Sequence, residues 1–283
     1  LNFHEKDSYK RELDTYKNQL ATSYMTDSKV TDALINEAYQ RMLYEVKASH
    51  ILVKFPGNAS PQDTLTAYTK ITKLRNRALA EGFDEVRKEV HNGETVFGEE
   101  LGYFTGFKMV YKFENVAYNT PVGEVSKPFR TQFGYHILNV QDNRKSQGER
   151  TVAHIMVVEK EGDSIAEKPE DRIQDIYKKL NQGEDFEALA KQFSDDKSSS
   201  SKGGMLSPFS RGQISVPDFE DVAFGLENDG DVSKPFKTKY GWHIVKLYGK
   251  KPVPSFEELK PELEEKVKRD SRSKLIDEAL ITK

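Results

Sequence analysis

Histidine is the residue type in this chain whose spacing points most directly to chemistry. Four of the six histidines occupy matching places in two similar stretches of sequence: His50, His136, His154 and His243. Imidazole titrates near neutral pH, but a histidine in a strand is also commonly a hydrogen-bonded core residue, and both readings stay open. HExxH and paired Cys/His spacings are missing, so we expect no metal site. A nucleophile elbow, a phosphate-binding loop and GxGxxG are also missing, so covalent hydrolysis and a bound cofactor have no support.

The two stretches belong to a tandem repeat. Residues 125–138 (VSKPFRTQFGYHIL) and 232–245 (VSKPFKTKYGWHIV) are identical at nine of fourteen positions. Shorter pairs of segments also match: KASHILVK with TVAHIMVV, GEELGYF with GGMLSPF, and FENVAY with FEDVAF. Two copies of one domain follow, with predicted bounds of 47–145 (copy one) and 151–250 (copy two).

Both copies show the same predicted order of elements. A β-branched strand opens each one, and two helices, a Gly/Ser loop, a short helix and a closing hairpin follow. In copy one, Ser60-Pro61 marks the start of the first helix. The apolar spacing of this helix predicts a buried face of Leu65, Tyr68, Ile71 and Leu74. In copy two, the Ser-rich loop 198–204 is expected to be flexible. These elements predict an α+β fold, with a small antiparallel or mixed sheet covered by helices.

The ends of the chain lie outside the repeat. Segment 1–46 contains two helical patterns, and segment 254–283 contains another, which Ser255 and Glu258 open as a capping box. Their apolar positions are Tyr9, Leu13, Tyr16, Leu20 and Tyr24, then Val30, Leu34, Ala38, Met42 and Val46, and finally Leu259, Leu263, Val267, Leu275 and Leu280. Pro261 is expected at the first position of the long C-terminal helix. Such helices need a partner: they pack on each other as a third module, or they also bind another polypeptide.

Composition excludes several classes of protein. The net charge of −3, from 43 basic and 46 acidic side chains, gives no basic excess for binding nucleic acid. No run of about 18 apolar residues occurs, so we expect no membrane-spanning segment. The chain has no cysteine, which excludes disulfides and thiolate chemistry. It starts at Leu1 rather than Met, and we expect a mature or excised form whose targeting signal has been lost.

The repeated motifs resemble those of parvulin-type peptidyl-prolyl cis/trans isomerases. Four landmarks recur in order: the HILV-like histidine of the first strand, a GG-x-L-x-x-F loop, an FE-x-x-AF helix and a T-x-[FY]-G-x-H-I hairpin. The two copies together cover most of the 283 residues. The resemblance implies that each copy is a four-stranded antiparallel sheet with flanking helices, and that the chain isomerises X–Pro bonds.

Copy two matches the family pattern best. The resemblance implies four catalytic residues and three substrate-binding residues: His154, Asp196, Thr238 and His243, and then Leu206, Ile214 and Phe219. The last three are expected to hold the proline ring, with Ile214 where the family more often has Met. Asp196 is expected beside the rotating carbonyl. We expect the histidines to hydrogen-bond each other or Thr238 and to form the pocket floor, which predicts an activity that is nearly flat with pH.

Copy one keeps six residues of the same pattern as a second, weaker site: His50, Leu101, Met109, Phe113, Thr131 and His136. Its loop, VHNGE, is shorter where copy two carries Asp196, and Glu94 is the nearest substitute for that carboxylate. We therefore expect copy two to be the active domain and copy one to bind peptide only.

Two parvulin copies flanked by terminal helices also resemble the SurA-type periplasmic chaperones. That resemblance implies unfolded or proline-containing polypeptides as partners, outer-membrane proteins among the clients, and a periplasmic or otherwise extracytoplasmic location. Three functions stay open: an isomerase that is also a chaperone, a holdase with negligible turnover, and a scaffold in which the histidines only stabilise the fold.

Overall fold

The computed structural model of the protein describes residues 29–158 and 168–273. The strands of the first sheet are β1 (Tyr44–Lys54), β2 (Val96–Phe104), β3 (Phe129–Thr131) and β4 (Gly134–Lys145), and those of the second are β5 (Glu149–Val157), β6 (Phe209–Ser210), β7 (Phe236–Thr238) and β8 (Gly241–Lys251). Their orders are β2-β1-β4-β3 and β6-β5-β8-β7, and all pairs are antiparallel. The expected α+β fold is confirmed. The apolar pattern at 9–24, Leu275 and Leu280 lie outside the described residues.

Helices cover both faces of each sheet. The α-helices of the described residues are α1 (Lys29–Met42), α2 (Pro61–Glu81), α3 (Phe83–Val90), α4 (Tyr111–Asn119), α5 (Pro169–Asn181), α6 (Phe186–Phe193), α7 (Pro217–Gly225) and α8 (Phe256–Arg269). The first sheet packs on α2 and α3 with one face and on α4 with the other. The second sheet packs on α5 and α6 with one face and on α7 with the other. Within the two described ranges, no helix is long and apolar enough to cross a membrane.

Two helices begin at capping boxes that the sequence contains. Ser60 and Asp63 exchange side-chain and backbone hydrogen bonds at the start of α2, and Ser255 and Glu258 do the same for α8. These bonds satisfy amide donors that the first turn of a helix otherwise leaves free. The prediction that the last helix begins at Pro261 is wrong. Because the capping box starts α8 about one turn earlier, Pro261 lies inside the helix at the cost of one backbone hydrogen bond.

The buried face of α2 differs from the predicted one. Its buried residues are Ala67, Ile71, Leu74 and Ala78. Leu65 and Tyr68, which were expected on this face, are 56% and 46% exposed. The stripe that faces the sheet follows i, i+4 and i+7 spacing from Ala67, and Leu65 and Tyr68 fall outside it.

The described parts of the two chain ends meet, because α1 and α8 pack on each other. Their shared apolar cluster contains Leu34, Ile35, Ala38, Leu259, Leu263 and Val267. Val46, expected in the N-terminal helix, lies in β1 instead. It is buried there because Val46 and Ala48 alternate along the face of the sheet that α4 covers.

The two copies touch where α7 and the loop before it pack on β2. A Cβ on Gly212 would lie 2.6 Å from Cβ of Phe104, and a Cβ on Gly102 would lie 3.0 Å from Cβ of Pro217. The glycines have φ of +78° and +66°, a region that L side chains rarely adopt. This close backbone approach therefore depends on glycine at both positions.

Candidate active site

The pocket of copy two is built around two histidines on neighbouring strands. His154 on β5 and His243 on β8 stack with ring centroids 5.8 Å apart. Thr238 accepts the amide N–H of Tyr240 at 3.1 Å, and its hydroxyl is hydrogen-bonded to Nε2 of His243 at 2.8 Å. Among the described residues Nδ1 of His243 has no hydrogen-bond partner.

One histidine in each copy is held neutral by burial. Burial lowers the pKa of His243 to about 4, and charge on the neighbouring His154 acts in the same direction. In copy one, burial lowers the pKa of His136 to about 3, and His50 adds to the effect. At neutral pH both rings are therefore uncharged hydrogen-bonding groups, and they form the floor of each pocket.

The carboxylate of copy two comes from the turn that follows α6. Asp196 accepts hydrogen bonds from Nε2 of His154 at 2.7 Å and from the hydroxyl of Ser199. Its other oxygen accepts the amide and hydroxyl of Ser198 at 3.0 and 2.7 Å. Burial alone would raise the pKa of Asp196, but the hydrogen bonds from Ser199, Ser198 and His154 outweigh it and hold this pKa well below its usual range. The group is ionised at neutral pH.

Residues 198–204, expected to be a flexible loop, form a compact turn instead. Ser199 and Ser200 are only 2% and 7% exposed, because Ser199 is hydrogen-bonded to both Asp196 and Nε2 of His154. Among the described residues Nδ1 of His154 has no hydrogen-bond partner, so these side chains do not form a Ser–His–Asp triad. The run of four serines gave no signal as to which one reaches the site.

The apolar wall of the pocket is aromatic. Phe219 on α7 meets both histidine rings edge-on, with centroids 5.6 Å away in each case. Phe236 stacks on His243 at 5.5 Å. Leu206 and Ile214 are half-buried members of the same apolar cluster. The sequence pattern assigned no role to Phe236, although the VSKPF segment shared by the two copies contains it.

A buried glutamate holds the loop that carries Ile214. Its carboxylate, on Glu220, accepts the amides of Gly212 and Ile214, each at 2.8 Å. Burial raises the pKa of Glu220 to about 7, against the opposing effect of these amides and of Arg211. Glu220 was not among the predicted site residues. Its signal in the sequence is the FE dipeptide that both copies share, since Glu114 accepts the amide of Phe107 at 2.7 Å in the same way.

Copy one contains a second pocket of the same design. Nδ1 of His50 and Nδ1 of His136 lie 3.4 Å apart, and Thr131 is hydrogen-bonded to Nε2 of His136 at 2.8 Å. Phe113 meets the two rings at 5.5 and 5.6 Å, and Phe129 stacks on His136 at 5.3 Å. The two remaining predicted residues pack against the same apolar cluster: Leu101 and Met109. All six predicted residues of copy one are thus brought together.

The carboxylate in the pocket of copy one is Glu99, and the expectation that Glu94 stands nearest is wrong. Oε2 of Glu99 lies 3.1 Å from Nε2 of His50. The two residues are direct partners across the β1–β2 ladder, which accounts for the contact. Glu94 lies exposed in the preceding turn, where its amide donates to the side chain of Asn92 at 3.0 Å.

Each pocket therefore combines an apolar wall, a neutral histidine on its floor and a carboxylate against the other histidine. Such a set can hold an apolar ring away from water and place negative charge beside it. It contains no activated nucleophile. Together with the antiparallel sheet and its flanking helices, two such pockets define a tandem protein of the parvulin fold class.

Comparison with known families agrees with this class. The family model described as the rotamase, or PPIC-type PPIase, domain matches residues 50–142 and again residues 154–249. The chain belongs to the PPIC-type peptidyl-prolyl isomerase domain family.

Several individual proteins are similar to this chain. Chaperone SurA of Nitrosococcus oceani is 31% identical over 242 residues, which cover 82% of this chain and 55% of that protein. Chaperone SurA of Hahella chejuensis is 32% identical over 232 residues, or 79% and 52% of the two chains. The solved peptidylprolyl isomerase PrsA of Bacillus cereus is 39% identical with a TM-score of 0.35, covering 45% of each chain. The chain spans about half the length of the curated relatives it matches.

Proposed function

We propose that this chain is a peptidyl-prolyl cis/trans isomerase and a folding chaperone for secreted or outer-membrane polypeptides, with copy two as the main catalytic domain. The observation that carries the proposal is the position of Asp196. Its ionised carboxylate lies against His154 at the edge of a pocket whose wall is Phe219. A proline ring in that pocket would place the carbonyl before it next to the carboxylate.

Isomerisation of an X–Pro bond needs no covalent step. The trans form is preferred by only about 0.5–1 kcal/mol, yet the exchange takes tens to hundreds of seconds, because amide resonance sets a barrier of roughly 18–20 kcal/mol. The twisted transition state loses this resonance, and its carbonyl oxygen carries less charge. A pocket that binds the twisted form more tightly lowers the barrier. A reduction of about 5 kcal/mol corresponds to between three and four powers of ten in rate.

In this mechanism Phe219, Leu206 and Ile214 hold the proline ring away from water. Asp196 faces the rotating carbonyl, where its negative charge disfavours the polar, planar amide relative to the twisted one. His243 stays neutral and forms the floor with Thr238. No proton leaves the enzyme or the peptide during the reaction.

The remaining segments complete the proposal. Segments 1–46 and 254–283 form a helical module that binds client polypeptide beside two parvulin domains at 47–145 and 151–250. The apolar cluster between α1 and α8 supports this division. The clients are unfolded or proline-containing polypeptides, and the location is periplasmic or otherwise extracytoplasmic. The likeness to the SurA chaperones supports both statements.

The test is isomerisation of a proline-containing tetrapeptide by the full chain. Asp196→Ala is expected to lower kcat/KM about tenfold or more, the size expected for one hydrogen-bonded charged group. The matched control is Asp195→Ala. Asp195 accepts hydrogen bonds from Arg172 at 3.2 Å and from the amide of Val158 at 3.1 Å rather than from the histidines. This variant is expected to keep the native rate.

A second pair of variants tests the apolar wall. Phe219→Leu is expected to lower the rate. Phe186→Leu removes a similarly buried ring from the opposite face of the sheet and is expected to leave the rate of folded protein unchanged. Suppression of client aggregation is measured on the same variants. A folded native chain without any acceleration would refute the isomerase and leave a peptide-binding holdase as the function.

A further inference from the structure

The two copies differ at the position opposite the first histidine. In copy two this position is Gly204, whose carbonyl accepts the amide of His154 at 2.8 Å. A Cβ there would lie 2.2 Å from the carbonyl oxygen of His154, and φ is +80°. Copy one has Glu99 at the matching place, in regular β2 strand paired with His50. A glycine in one copy is thus matched by a carboxylate in the other.

The copies also differ in the turn that supplies Asp196. In copy one, α3 ends at Val90 and β2 starts at Val96, so only a short turn connects them. The side-chain oxygen of Asn92 caps this turn by accepting the amides of Glu94, Thr95 and Val96. The turn that carries the carboxylate in copy two is therefore replaced, in copy one, by a short helix-to-strand turn held by Asn92.

Glu99 is placed where a substrate can meet it. Its side chain is 50% exposed, whereas His50, which it contacts, is only 8% exposed. The same strand carries Leu101, which packs against the apolar cluster of the pocket. The hydrogen bond from His50 lowers the pKa of Glu99, so the carboxylate at the pocket mouth is ionised at neutral pH.

Hydrogen bonds run through this pocket in one direction. Thr131 accepts the amide of Phe133 at 3.1 Å and donates to Nε2 of His136. The proton on Nδ1 of His136 then points at Nδ1 of His50, 3.4 Å away, and Nε2 of His50 donates to Glu99. In copy two the Thr238–His243 and His154–Asp196 hydrogen bonds are also present, but the two rings only stack, and among the described residues Nδ1 of each has no hydrogen-bond partner. In both copies a carboxylate accepts from the first histidine.

We propose that Glu99 is the carboxylate of a second isomerase site, and that copy one itself isomerises prolyl bonds instead of only binding peptide. This inference rests on the isomerase function proposed above. It differs from the expectation drawn from the sequence, in which the loss of the loop aspartate left copy one without catalysis. In copy two the carboxylate is Asp196 of the loop, and in copy one it is Glu99 of strand β2. Each contacts the first histidine of its copy.

The experiment uses the full chain with copy two silenced by Asp196→Ala and Phe219→Leu together. This protein is expected to retain tetrapeptide isomerase activity above the uncatalysed rate. Adding Glu99→Gln is expected to lower the remaining activity about tenfold or more, as for loss of one charged hydrogen-bond partner. The matched controls are Glu94→Gln, in the adjoining turn, and Glu100→Gln, the next residue of β2, and both are expected to keep the remaining activity.

The outcomes separate this inference from the function on which it rests. An inactive native chain refutes both. An active native chain with no activity after copy two is silenced refutes the second site alone. Equal effects of Glu99→Gln and Glu94→Gln refute the role of Glu99. If the doubly substituted chain fails to fold, copy two is silenced by Asp196→Ala alone, and Glu99→Gln and Glu94→Gln are compared in that background, where equal rates refute the inference.

Discussion

Glu114 and Arg272 form an ion pair at 3.3 Å although they lie 158 residues apart, and neither side chain is exposed. Arg41 joins the same carboxylate at 3.0 Å. The guanidinium of Arg272 also lies 4.0 Å from the ring centroid of Phe107. Because Arg41 is on α1, Glu114 on α4 and Arg272 just beyond α8, this cluster joins the two ends of the described chain to the pocket helix of copy one.

Loss of Arg272 should therefore destabilise the protein strongly. Arg272→Ala leaves a buried carboxylate with one of its two arginines, and removal of a partner from a buried ion pair costs about 3–5 kcal/mol. The control is Arg269→Ala, because Arg269 is 82% exposed in its pair with Glu265 and such surface pairs contribute about 1 kcal/mol or less. Urea unfolding followed by circular dichroism measures both, and equal effects would contradict the prediction.

Ser199→Ala should weaken the hold on the carboxylate of copy two. The variant removes hydrogen bonds to Asp196 and His154, so the pKa of Asp196 should rise towards its usual value and the isomerase rate should fall. Ser201→Ala is the control, since Ser201 is exposed in the same serine run. Carboxyl NMR titration reads the pKa directly, and an unchanged titration of Asp196 in the Ser199→Ala protein would show that Ser199 has no such role.

Glu220 should make the activity of copy two depend on pH near neutrality. Its pKa is raised to about 7 by burial. Protonation places a hydrogen on one of the two oxygens that accept the amides of Gly212 and Ile214, so the pocket loop loosens. The isomerase rate is therefore expected to fall as the pH drops through about 7, in place of the nearly flat profile expected from the sequence. His243 is neutral in this range and adds no dependence.

The measurement is a pH–rate profile with the tetrapeptide. Glu220→Gln imitates the protonated carboxyl, so this variant is expected to be slower and flat with pH. Asp218→Asn, an exposed position in the same helix, is the control and should keep the native profile. A Glu220→Gln protein that retained the pH dependence would assign it to another group.

Acid should also destabilise the fold through His136 and His243. Burial lowers their pKa to about 3 and 4, from an ordinary value of 6.5. Between those values the unfolded chain binds protons that the folded chain does not bind. The stability from these two groups is therefore complete above pH 6.5 and is lost as the pH falls towards the folded values.

This effect is best measured in the Glu220→Gln protein. The raised pKa of Glu220 acts in the opposite sense between pH 4.5 and about 7, because there the folded chain is the one that binds the proton. The free energy of urea unfolding is expected to be lower at about pH 5 than at pH 7, by several kcal/mol, since each unit of pKa shift corresponds to about 1.4 kcal/mol. NMR signals of His136 and His243 that titrate near pH 6.5 in the folded protein would contradict the prediction.

Much of the pocket could be predicted because its residues lie in the segments that the two copies repeat. His154, Thr238, His243 and Phe219 all fall in such segments, and alternation along a strand or periodicity along a helix places each of them on one face. The capping boxes were predictable for a similar reason, since Ser255 and Glu258 interact within a single turn. Local spacing is sufficient wherever partners are close in sequence.

Predictions from the sequence failed where contacts with a distant part of the chain determine which side chains are buried or how a loop folds. The spacing of Leu65 and Tyr68 predicted a buried face, but the helix turns Ala67 and Ala78 to the sheet. The loop 198–204 looked flexible from composition, yet Ser199 is fixed there by Asp196 and His154. In each case the competing choices have similar local energies, and packing against a distant element selects one of them.

The carboxylates of copy one, Glu94 and Glu99, show most clearly what the sequence can predict and what it cannot. The sequence alone determined the tandem repeat, the α+β fold and the paired histidines, because these follow from patterns within each copy. Only the tertiary structure decided that Glu99, and not Glu94, meets His50, since that contact depends on the register in which β1 and β2 pair. Register, like the meeting of Glu114 with Arg272, is set by hydrogen bonds and burial between segments far apart in the chain, and no local pattern contains it.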